Sequence, residues 1–179
     1  MIYISHYPSP IGKLFLASKN NELIGLWIEG QKYFLGNLTG EIQENDGEEI
    51  LLKTKLWLDD YFHGQKPLIA DLALAPVGSD FRLRVWDILC QIPYGEVTTY
   101  GSIAKTLAKQ LGKKSMSAQA VGNAVGHNPI SIIIPCHRVV GSNGSLTGYA
   151  GGLANKIELL SLEKVDMSGF YVPTKGSAL

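Results

Sequence analysis

One apolar run constrains this chain more than any other feature. Residues 130–134, Ile-Ser-Ile-Ile-Ile, are followed directly by Pro135-Cys136-His137-Arg138-Val139-Val140. A short run rich in β-branched residues is typical of a buried strand, and proline lacks the N–H group that would continue strand pairing. The sequence therefore predicts a thiol and an imidazole at the end of a buried segment, where Cys136 is a candidate nucleophile on a rigid base.

Two simpler interpretations of Cys136 stay open from the residues alone. A lone cysteine after an isoleucine run is usually an inert, buried, small apolar residue. A Cys-His pair is also half of a zinc site, which needs about four ligands. No second half is recognisable among the remaining thiol and histidines, which are Cys90, His6, His63 and His127. We therefore expect no metal.

The length and the apolar pattern limit the class of protein. A chain of 179 residues suits one large domain or two small ones. No apolar run reaches the ~18 residues of a membrane helix, and the first residues lack the basic and apolar regions of a signal peptide. Two dissimilar cysteines make no disulfide framework. We expect a cytoplasmic protein with no membrane partner, in which Cys136 remains a free thiol.

Charge is distributed unevenly although the net charge is zero. Residues 1–78 hold 6 Lys/Arg and 10 Asp/Glu, whereas residues 79–140 hold 7 Lys/Arg and 3 Asp/Glu. A basic middle beside an acidic front half is compatible with one face that approaches phosphates. On this evidence alone, ordinary solvated surface charge explains the pattern equally well.

The first third of the chain predicts an antiparallel meander. Short apolar-rich runs alternate with turn sequences, and the runs cover residues 2–7, 13–18 and 22–29. Residues 36–47 are polar and rich in Gly and Asn, which predicts a loop. Apolar side chains then recur at helical spacing, which predicts a helix from about Glu48 to His63.

Beyond Pro76-Val77-Gly78-Ser79 the pattern becomes helical. Three helices are predicted, each preceded by a residue that can cap it. The first is capped by Ser79 or Asp80 and runs to about Gln91. The second runs from Tyr100 to Lys109 and is capped by Thr99. The third runs from Ala118 to about His127 and is capped by Ser117. A basic, Gly-containing turn joins the second and third, which fits a helix-turn-helix.

The predicted fold class is α/β (α+β), with an N-terminal small antiparallel sheet and helix, followed by a mostly helical C-terminal domain that contains a helix-turn-helix. The predicted domains are residues 1–78, a structural α/β domain, and residues 79–170, which carry the chemistry. Residues 171–179 are expected to form a flexible tail.

The third predicted helix has an unusual composition. Residues 117–126, Ser-Ala-Gln-Ala-Val-Gly-Asn-Ala-Val-Gly, hold no long side chain except Gln119. Two glycines inside a helix cost about 1 kcal/mol each relative to alanine. Small residues favour either tight helix packing or close contact with a narrow groove. Because few side chains here reach base edges, we expect shape-driven contact with DNA, in the minor groove.

The C-terminal sequence resembles one family. Asn128-Pro129, the cysteine motif, Gly141-Ser142-Asn143-Gly144 and the segment Gly148-Tyr149-Ala150-Gly151-Gly152-Leu153 closely resemble the O6-alkylguanine-DNA alkyltransferases, or methylated-DNA–protein-cysteine methyltransferases. The resemblance covers about residues 79–166. It implies a single-turnover repair protein that flips O6-alkylguanine, mainly O6-methylguanine, out of duplex DNA and moves the alkyl group irreversibly onto Cys136. O4-methylthymine is a second candidate substrate.

The resemblance also implies the roles of the reacting groups. His137 deprotonates Cys136 through a bridging water, and Glu163 holds the imidazole. Neighbouring strand residues point to opposite faces, so Cys136 and His137 can cooperate only if the chain turns at Pro135. Tyr100 matches the tyrosine that donates its phenol proton to the departing guanine. Without this resemblance, the residues alone predict that Glu163 is a charged side chain exposed to solvent.

Further residues match the family's base pocket and hinge. The carbonyl groups of Cys136 and Val139 match those that accept from the exocyclic amine of guanine, and Tyr149 with the N–H of Ala150 matches the pocket wall near O6. Many family members carry serine where Ala150 stands, so a hydroxyl contact is absent here. The remaining matches are a hinge residue, a phosphate contact and a pocket lysine, which are Asn128, Ser142 and Lys156. Lys156 could equally be a surface charge.

Gln119 departs from the family pattern, which commonly places an arginine at this position to fill the hole left by the flipped base. Glutamine can intercalate but brings no charge, which puts the strength of DNA binding in doubt. The other DNA-contact candidates on this helix are Ser117, Ala118, Gly122 and Asn123. We expect double-stranded DNA containing O6-alkylguanine as the partner, no cofactor, and a monomer.

Three other functions compete with this interpretation. An alkyltransferase-like module binds lesions without transfer, but such proteins lack the cysteine. A cysteine hydrolase would use Cys136 and His137, but it would give the small-residue helix no role. A plain helix-turn-helix regulator is disfavoured because the helix offers so few base-reading side chains.

Overall fold

The computed structural model describes residues 1–36 and 38–174, and the described chain divides into two compact units. The first comprises Met1–Val77 together with Pro129–Ile133. The second comprises Gly78–Asn128 and the chain from Ile134 onward. The five residues before Ile134 therefore belong with the N-terminal unit, although they lie far from it in the sequence.

In the described residues of the first unit, a four-stranded sheet packs against one α-helix. The strands are β1 (Ile2–Ser9), β2 (Gly12–Lys19), β3 (Glu22–Ile28) and β4 (Ile42–Glu44), in the spatial order β3-β2-β1-β4. Helix α1 spans Glu49–Phe62 and buries Leu51, Trp57 and Leu58. Asn20 and Asn21 have φ values of 53° and 60°, which suits the two-residue turn between β2 and β3. The predicted strands and helix are confirmed within two residues at each end.

Strand β4 lies inside the segment that the sequence predicts as a loop. It pairs parallel to β1, with Ile2 opposite Ile42, so the sheet is mixed rather than purely antiparallel. All three of its residues are exposed. Because only one of them is apolar, nothing in the pattern distinguishes this strand from a loop, and it forms because β1 offers an unpaired edge.

Residues 129–133 lie along β3. The N–H of Leu26 donates to the Pro129 carbonyl at 2.9 Å, and the N–H of Ser131 donates to the Leu26 carbonyl at 2.9 Å. The expected strand stops there, because Ile132 has a φ of 73° and the N–H of Ile133 donates back to the Ser131 carbonyl at 2.9 Å. This is a γ-turn at a β-branched residue, a strained conformation that costs on the order of 1–3 kcal/mol.

The described residues of the second unit contain four α-helices and a two-stranded ladder. Its helices are α2 (Asp80–Leu89), α3 (Tyr100–Gln110), α4 (Ala118–Gly126) and α5 (Leu153–Leu162). Helix α4 packs against both α2 and α3, and Trp86 on α2 donates its indole N–H to the Ala124 carbonyl at 2.9 Å. The connection between α3 and α4 covers residues 111–117. The paired helices are compatible with the predicted helix-turn-helix.

Side chains cap the three predicted helices. Ser79, Thr99 and Ser117 accept hydrogen bonds from the N–H groups of Arg82, Ser102 and Ala120, at 3.3, 3.1 and 3.1 Å. Such a cap stabilises a helix by about 1 kcal/mol. The predicted caps are confirmed, and Ser79 rather than Asp80 is the capping residue of α2.

Two short strands were not predicted. Strand β5 (Thr98–Thr99) pairs in parallel with β6 (Val139–Val140). Two-residue strands carry no alternating pattern that a sequence could show. Their pairing places the start of α3 beside the chain that follows Cys136.

The end of the described chain is held at Tyr171. Its N–H donates to the Gly144 carbonyl at 3.1 Å, and its carbonyl accepts from Leu146 at 2.9 Å. A Cβ atom on Gly144 would lie 2.2 Å from the Gly169 carbonyl oxygen, so this contact requires glycine. The flexible tail expected for residues 171–179 stays a prediction, and residues 175–179 of it lie outside the described residues.

No helix within residues 1–36 or 38–174 is long and apolar enough to cross a membrane.

Candidate active site

A tight turn presents Cys136. Pro135 has φ −83° and ψ 64°, and the N–H of Cys136 donates to the Ile134 carbonyl at 2.8 Å. This is an inverse γ-turn. One 3₁₀ turn, Cys136–Arg138, follows before β6 begins. The turn predicted at Pro135 is present, and it removes Cys136 and His137 from the alternating geometry of a strand.

Cys136 is buried and is contacted by Asn128. Only 4% of Cys136 is exposed. The Asn128 side-chain Nδ2 donates to the Ile134 carbonyl at 2.8 Å and lies 3.1 Å from the Cys136 Sγ. Burial raises the pKa of the Cys136 thiol, although the Asn128 hydrogen bond and the charge of Lys156 act in the opposite direction. The resting group is therefore a thiol, which must lose its proton before it can attack.

His137 is a buried base whose two nitrogens differ. Its Nε2 is hydrogen-bonded to Glu163 Oε2, whereas its Nδ1 is buried and makes no hydrogen bond to any described residue. A carboxylate only accepts, so Nε2 carries the proton and Nδ1 offers a lone pair. Burial lowers the pKa of His137, while Glu163 acts against that effect. The imidazole is therefore uncharged at neutral pH.

Glu163 directly follows α5 as its C-cap. It is 2% exposed, which rules out the solvated charge that the residues alone favoured. Its Oε1 accepts from Arg138 Nε at 2.7 Å and from the N–H of Gly95 at 3.3 Å. Burial raises the pKa of Glu163, but His137 and Arg138 together outweigh burial, so the net pKa is lowered.

Lys156 lies inside the unit, not on its surface. Its ammonium group donates to the carbonyl oxygens of Val139 at 2.5 Å and Thr147 at 2.9 Å. Burial lowers its pKa to about 8, and a Cys136 thiolate would act in the opposite direction. The interpretation as a surface charge is therefore wrong, and the lysine orients two carbonyl groups near the nucleophile.

Two tyrosines complete the surroundings of Cys136. Tyr100 is the first residue of α3, and its hydroxyl donates to the Thr147 carbonyl at 3.2 Å. Burial raises its pKa to about 12. Tyr149 is 7% exposed, and its hydroxyl has no hydrogen-bond partner among the described residues. Burial first, and then the charges of Cys136 and Glu163, raise the pKa of Tyr149 far above its ordinary value. Both phenols therefore remain protonated donors at neutral pH.

The arrangement joins a thiol, an uncharged base with its carboxylate, and two phenol donors, within one compact unit. Within the described ranges, no group of three or more His, Cys, Asp or Glu side chains could hold a metal ion. The chemistry that these residues can perform is nucleophilic attack by sulfur with proton transfer to and from neighbouring groups.

Family models match nearly the whole chain. The DNA-binding domain of 6-O-methylguanine DNA methyltransferase matches residues 80–165, and the ribonuclease-like domain of the same family matches residues 2–76. A methylated-DNA–protein-cysteine methyltransferase from Haemophilus influenzae is 37% identical over 92% of this chain and 87% of that protein. Its counterpart from Methanosarcina acetivorans is 41% identical over 90% of this chain and 98% of its own length.

A solved structure agrees. Mycobacterium tuberculosis OGT in complex with DNA superposes with a TM-score of 0.77 at 40% identity, covering 90% of this chain and 92% of that one. This chain belongs to the 6-O-methylguanine DNA methyltransferase family. The α/β fold class and the family resemblance predicted from the sequence are thereby confirmed.

In this methyltransferase, the DNA-contact candidates on α4 are mostly exposed. Gln119, Ala118 and Asn123 point outward, whereas the Ser117 hydroxyl is already used as the cap of α4. A Cβ atom on Gly122 would lie 3.7 Å from the Tyr100 ring, so the helix passes directly over that tyrosine. Outside α4, Ser142 is exposed on the loop after β6 and Ala150 is half-buried.

Two groups of the methyltransferase site were not predicted. Arg138 is part of the cysteine motif, but the sequence predicts no function for it, because an arginine next to a strand is ordinarily exposed. The Thr147 carbonyl accepts from both Lys156 and Tyr100. A backbone acceptor has no sequence signal, whereas the buried Arg138 could have been suspected from the conspicuously apolar residues around it.

Proposed function

We propose that this protein repairs duplex DNA by transferring the alkyl group of O6-alkylguanine, mainly O6-methylguanine, to Cys136 in a single irreversible turnover. The observation that carries the proposal is a buried thiol within the same turn as an uncharged imidazole, which is itself bonded to a buried carboxylate. A binding module without transfer needs none of these groups.

The first step forms the nucleophile. His137 Nδ1 takes the Cys136 proton, through a bridging water, and Glu163 stabilises the imidazolium that results. The thiolate then attacks the alkyl carbon, forming an S–C bond while the C–O6 bond breaks and its electron pair stays on the guanine ring. A soft thiolate suits this displacement. A thioether has no route back, so each molecule acts once.

The second requirement is neutralisation of the guanine anion. Tyr100 is a protonated phenol whose hydroxyl is held by a carbonyl group, so it can turn its proton toward the base. The proton that His137 took from Cys136 then restores the Tyr100 phenol, so no proton is left over. The net reaction therefore exchanges an alkyl group for a proton and needs no cofactor.

The base is recognised by backbone acceptors. The Val139 carbonyl accepts from Lys156, and the Cys136 carbonyl accepts from the N–H of Val139. Each keeps a second lone pair for the exocyclic amine of guanine. Tyr149 and the N–H of Ala150 form the wall near O6, and Asn128 holds the turn that carries Cys136.

The DNA is bound by α4 in the minor groove, with Gln119 as the side chain that enters the stack and Ser117, Ala118, Gly122 and Asn123 beside it. Ser142 contacts a phosphate. Extruding a base costs a few kcal/mol, less for a weakly paired lesion. The similar Mycobacterium tuberculosis OGT has been solved in complex with DNA, which supports this partner. The requirement for a free thiol favours the cytoplasm.

The test uses duplex DNA that carries one O6-methylguanine. After incubation with excess DNA, the peptide that contains Cys136 should gain the mass of one methyl group, once per protein, while the peptide that contains Cys90 should gain nothing. Bound DNA with an unmodified Cys136 would instead support a lesion-binding module. Repeated turnover of an ester or a peptide would support a hydrolase.

A further inference from the structure

Arg138 is a buried cation beside the proposed base. Only 6% of the residue is exposed. Its Nε donates to Glu163 Oε1 at 2.7 Å, and its Nη1 donates to the Ile92 carbonyl at 2.7 Å. The guanidinium carbon lies 5.7 Å from the centroid of the Tyr94 ring. The contacts with the carboxylate, the carbonyl group and the aromatic ring together fix the orientation of the guanidinium group.

Glu163 receives its partners on separate oxygens. Oε2 is bonded to His137, whereas Oε1 accepts from Arg138 and from the N–H of Gly95. Gly95 has a φ of 79°, and a Cβ atom there would lie 3.1 Å from the Glu163 carbonyl oxygen. The close approach brings the backbones of Gly95 and Glu163 together, and the bonds from Arg138 and the Gly95 N–H to Oε1 orient the carboxylate toward the imidazole.

Arg138 determines whether the negative charge of Glu163 acts on His137 with or without a compensating positive charge. With it, Glu163 and Arg138 form a buried ion pair, so the positive charge of Arg138 offsets part of the attraction of Glu163 for a proton on His137. Without it, the buried negative charge of Glu163 would face His137 without the compensating positive charge of Arg138. Such a charge draws a proton onto a neighbouring imidazole, and a protonated His137 cannot accept the thiol proton.

We propose that Arg138 is a positioning residue of the transfer reaction, because it neutralises Glu163 and thereby keeps His137 uncharged and ready to deprotonate Cys136. This inference rests on the proposed function insofar as it predicts the pH dependence of methyl transfer. Its effect on the protonation of His137 exists in the free protein, without DNA.

Other ionisable groups act on the same pair and must remain unchanged in any test. Lys156 and Arg138 both lower the pKa of His137, although burial has the largest effect. Cys136, Tyr94 and Tyr149 also lie in this environment, because charges of the site act on the pKa values of both tyrosines. Arg138 and His137 bond directly to the Glu163 carboxylate.

The first measurement is an NMR titration of the His137 ring nitrogens in the free, unmodified protein, assigned with single His→Gln variants at His6, His63 and His127. We expect the Nε2–H tautomer and a midpoint below the ordinary 6.5. A midpoint above 6.5, or a proton on Nδ1, would overturn the proposal, and so would a midpoint that is the same in folded Arg138→Gln as in the unmodified protein.

The second measurement follows single-turnover methyl transfer against pH in Arg138→Gln, Arg138→Lys and the control Lys164→Gln. Lys164 is exposed and follows Glu163 in the chain, so its variant removes a positive charge that solvent screens. We expect the acid limb of the Arg138→Gln profile to move up by about one pH unit or more. Arg138→Lys should move it much less, and Lys164→Gln should leave it in place.

The outcomes separate this inference from the proposed function. If the unmodified protein transfers no methyl group, the proposed function fails, whereas the NMR titration still judges Arg138. If Arg138→Gln folds and only slows transfer equally at every pH, its role is structural. If Arg138→Lys shifts the acid limb as far as Arg138→Gln, the charge is not what matters. Either of the last two results overturns the proposal.

Discussion

The turn at Cys136–Arg138 and helix α4 belong to the same unit but are built in opposite ways. In the turn, all three residues are buried, and each has a polar atom that is bonded to Glu163, Ile92 or Asn128. Helix α4 exposes Ala118, Gln119 and Asn123, and most of its side chains are small. The interior therefore fixes the geometry of the reaction, whereas the helix supplies a smooth surface with one long side chain.

This contrast predicts that substitutions separate into two classes. Changes in the turn should alter the rate of transfer and leave DNA binding intact. Changes on α4 should alter binding and leave the chemistry of a bound lesion intact. A single substitution that altered both the rate of transfer and DNA binding would contradict this separation.

The largest effect is expected for Cys136→Ala, which removes the alkyl acceptor. Transfer should be abolished, while a gel-shift assay should find DNA binding unchanged, since the small, buried side chain contributes nothing to the surface. Cys90→Ala is the matched control. Burial raises the pKa of Cys90 to about 11, and its variant should accept one methyl group at the normal rate. A methyl group found on Cys90 would contradict this assignment.

A smaller effect is expected for Tyr100→Phe. Loss of a general acid slows a reaction by roughly 10²- to 10⁴-fold, and we expect the low end because water can deliver a proton to the guanine anion more slowly. The rate constant of a single turnover measures the effect, with exposed Tyr171→Phe as the control. Because the pKa of Tyr100 is about 12, this group should cause no alkaline loss of rate below about pH 11. An undiminished rate in Tyr100→Phe would remove the tyrosine from the reaction.

The smallest effect is expected for Gln119→Arg on α4. One added phosphate contact should tighten DNA binding several-fold at low salt and steepen the plot of log K against log[salt] by about 0.9. Fluorescence anisotropy at four salt concentrations measures both quantities. Gln91→Arg adds the same charge to an exposed residue outside α4 and serves as the control. Equal salt slopes for both variants would show that α4 is not the DNA-contacting surface.

Much of the fold could be predicted because local signals agreed with the final structure. The strands of the meander show alternation and turn residues, and the helices of the second unit carry Ser79, Thr99 and Ser117 at their starts. These signals are short-range, so tertiary contacts did not need to be known. The turn at Pro135 was also predictable, because proline ends strand pairing wherever it stands.

What could not be predicted depends on long-range partners. Strands β4, β5 and β6 form because an edge elsewhere in the chain is free to pair with them. Lys156 and Arg138 are charged residues of a kind usually found at the surface, and only the carbonyl groups and the carboxylate around them explain their burial. The γ-turn at Ile132 runs against the preference of a β-branched residue, so the surrounding structure overrides local propensity.

The burial of Cys136 matters because each protein molecule has one acceptor thiol, which the proposed reaction uses only once. Oxidation to sulfenic acid needs an accessible thiolate, and the resting site offers neither access nor the ionised form. Disulfide exchange with small thiols requires the same two conditions. The closed turn therefore preserves the capacity for one repair event through the interval between synthesis of the protein and its encounter with damage.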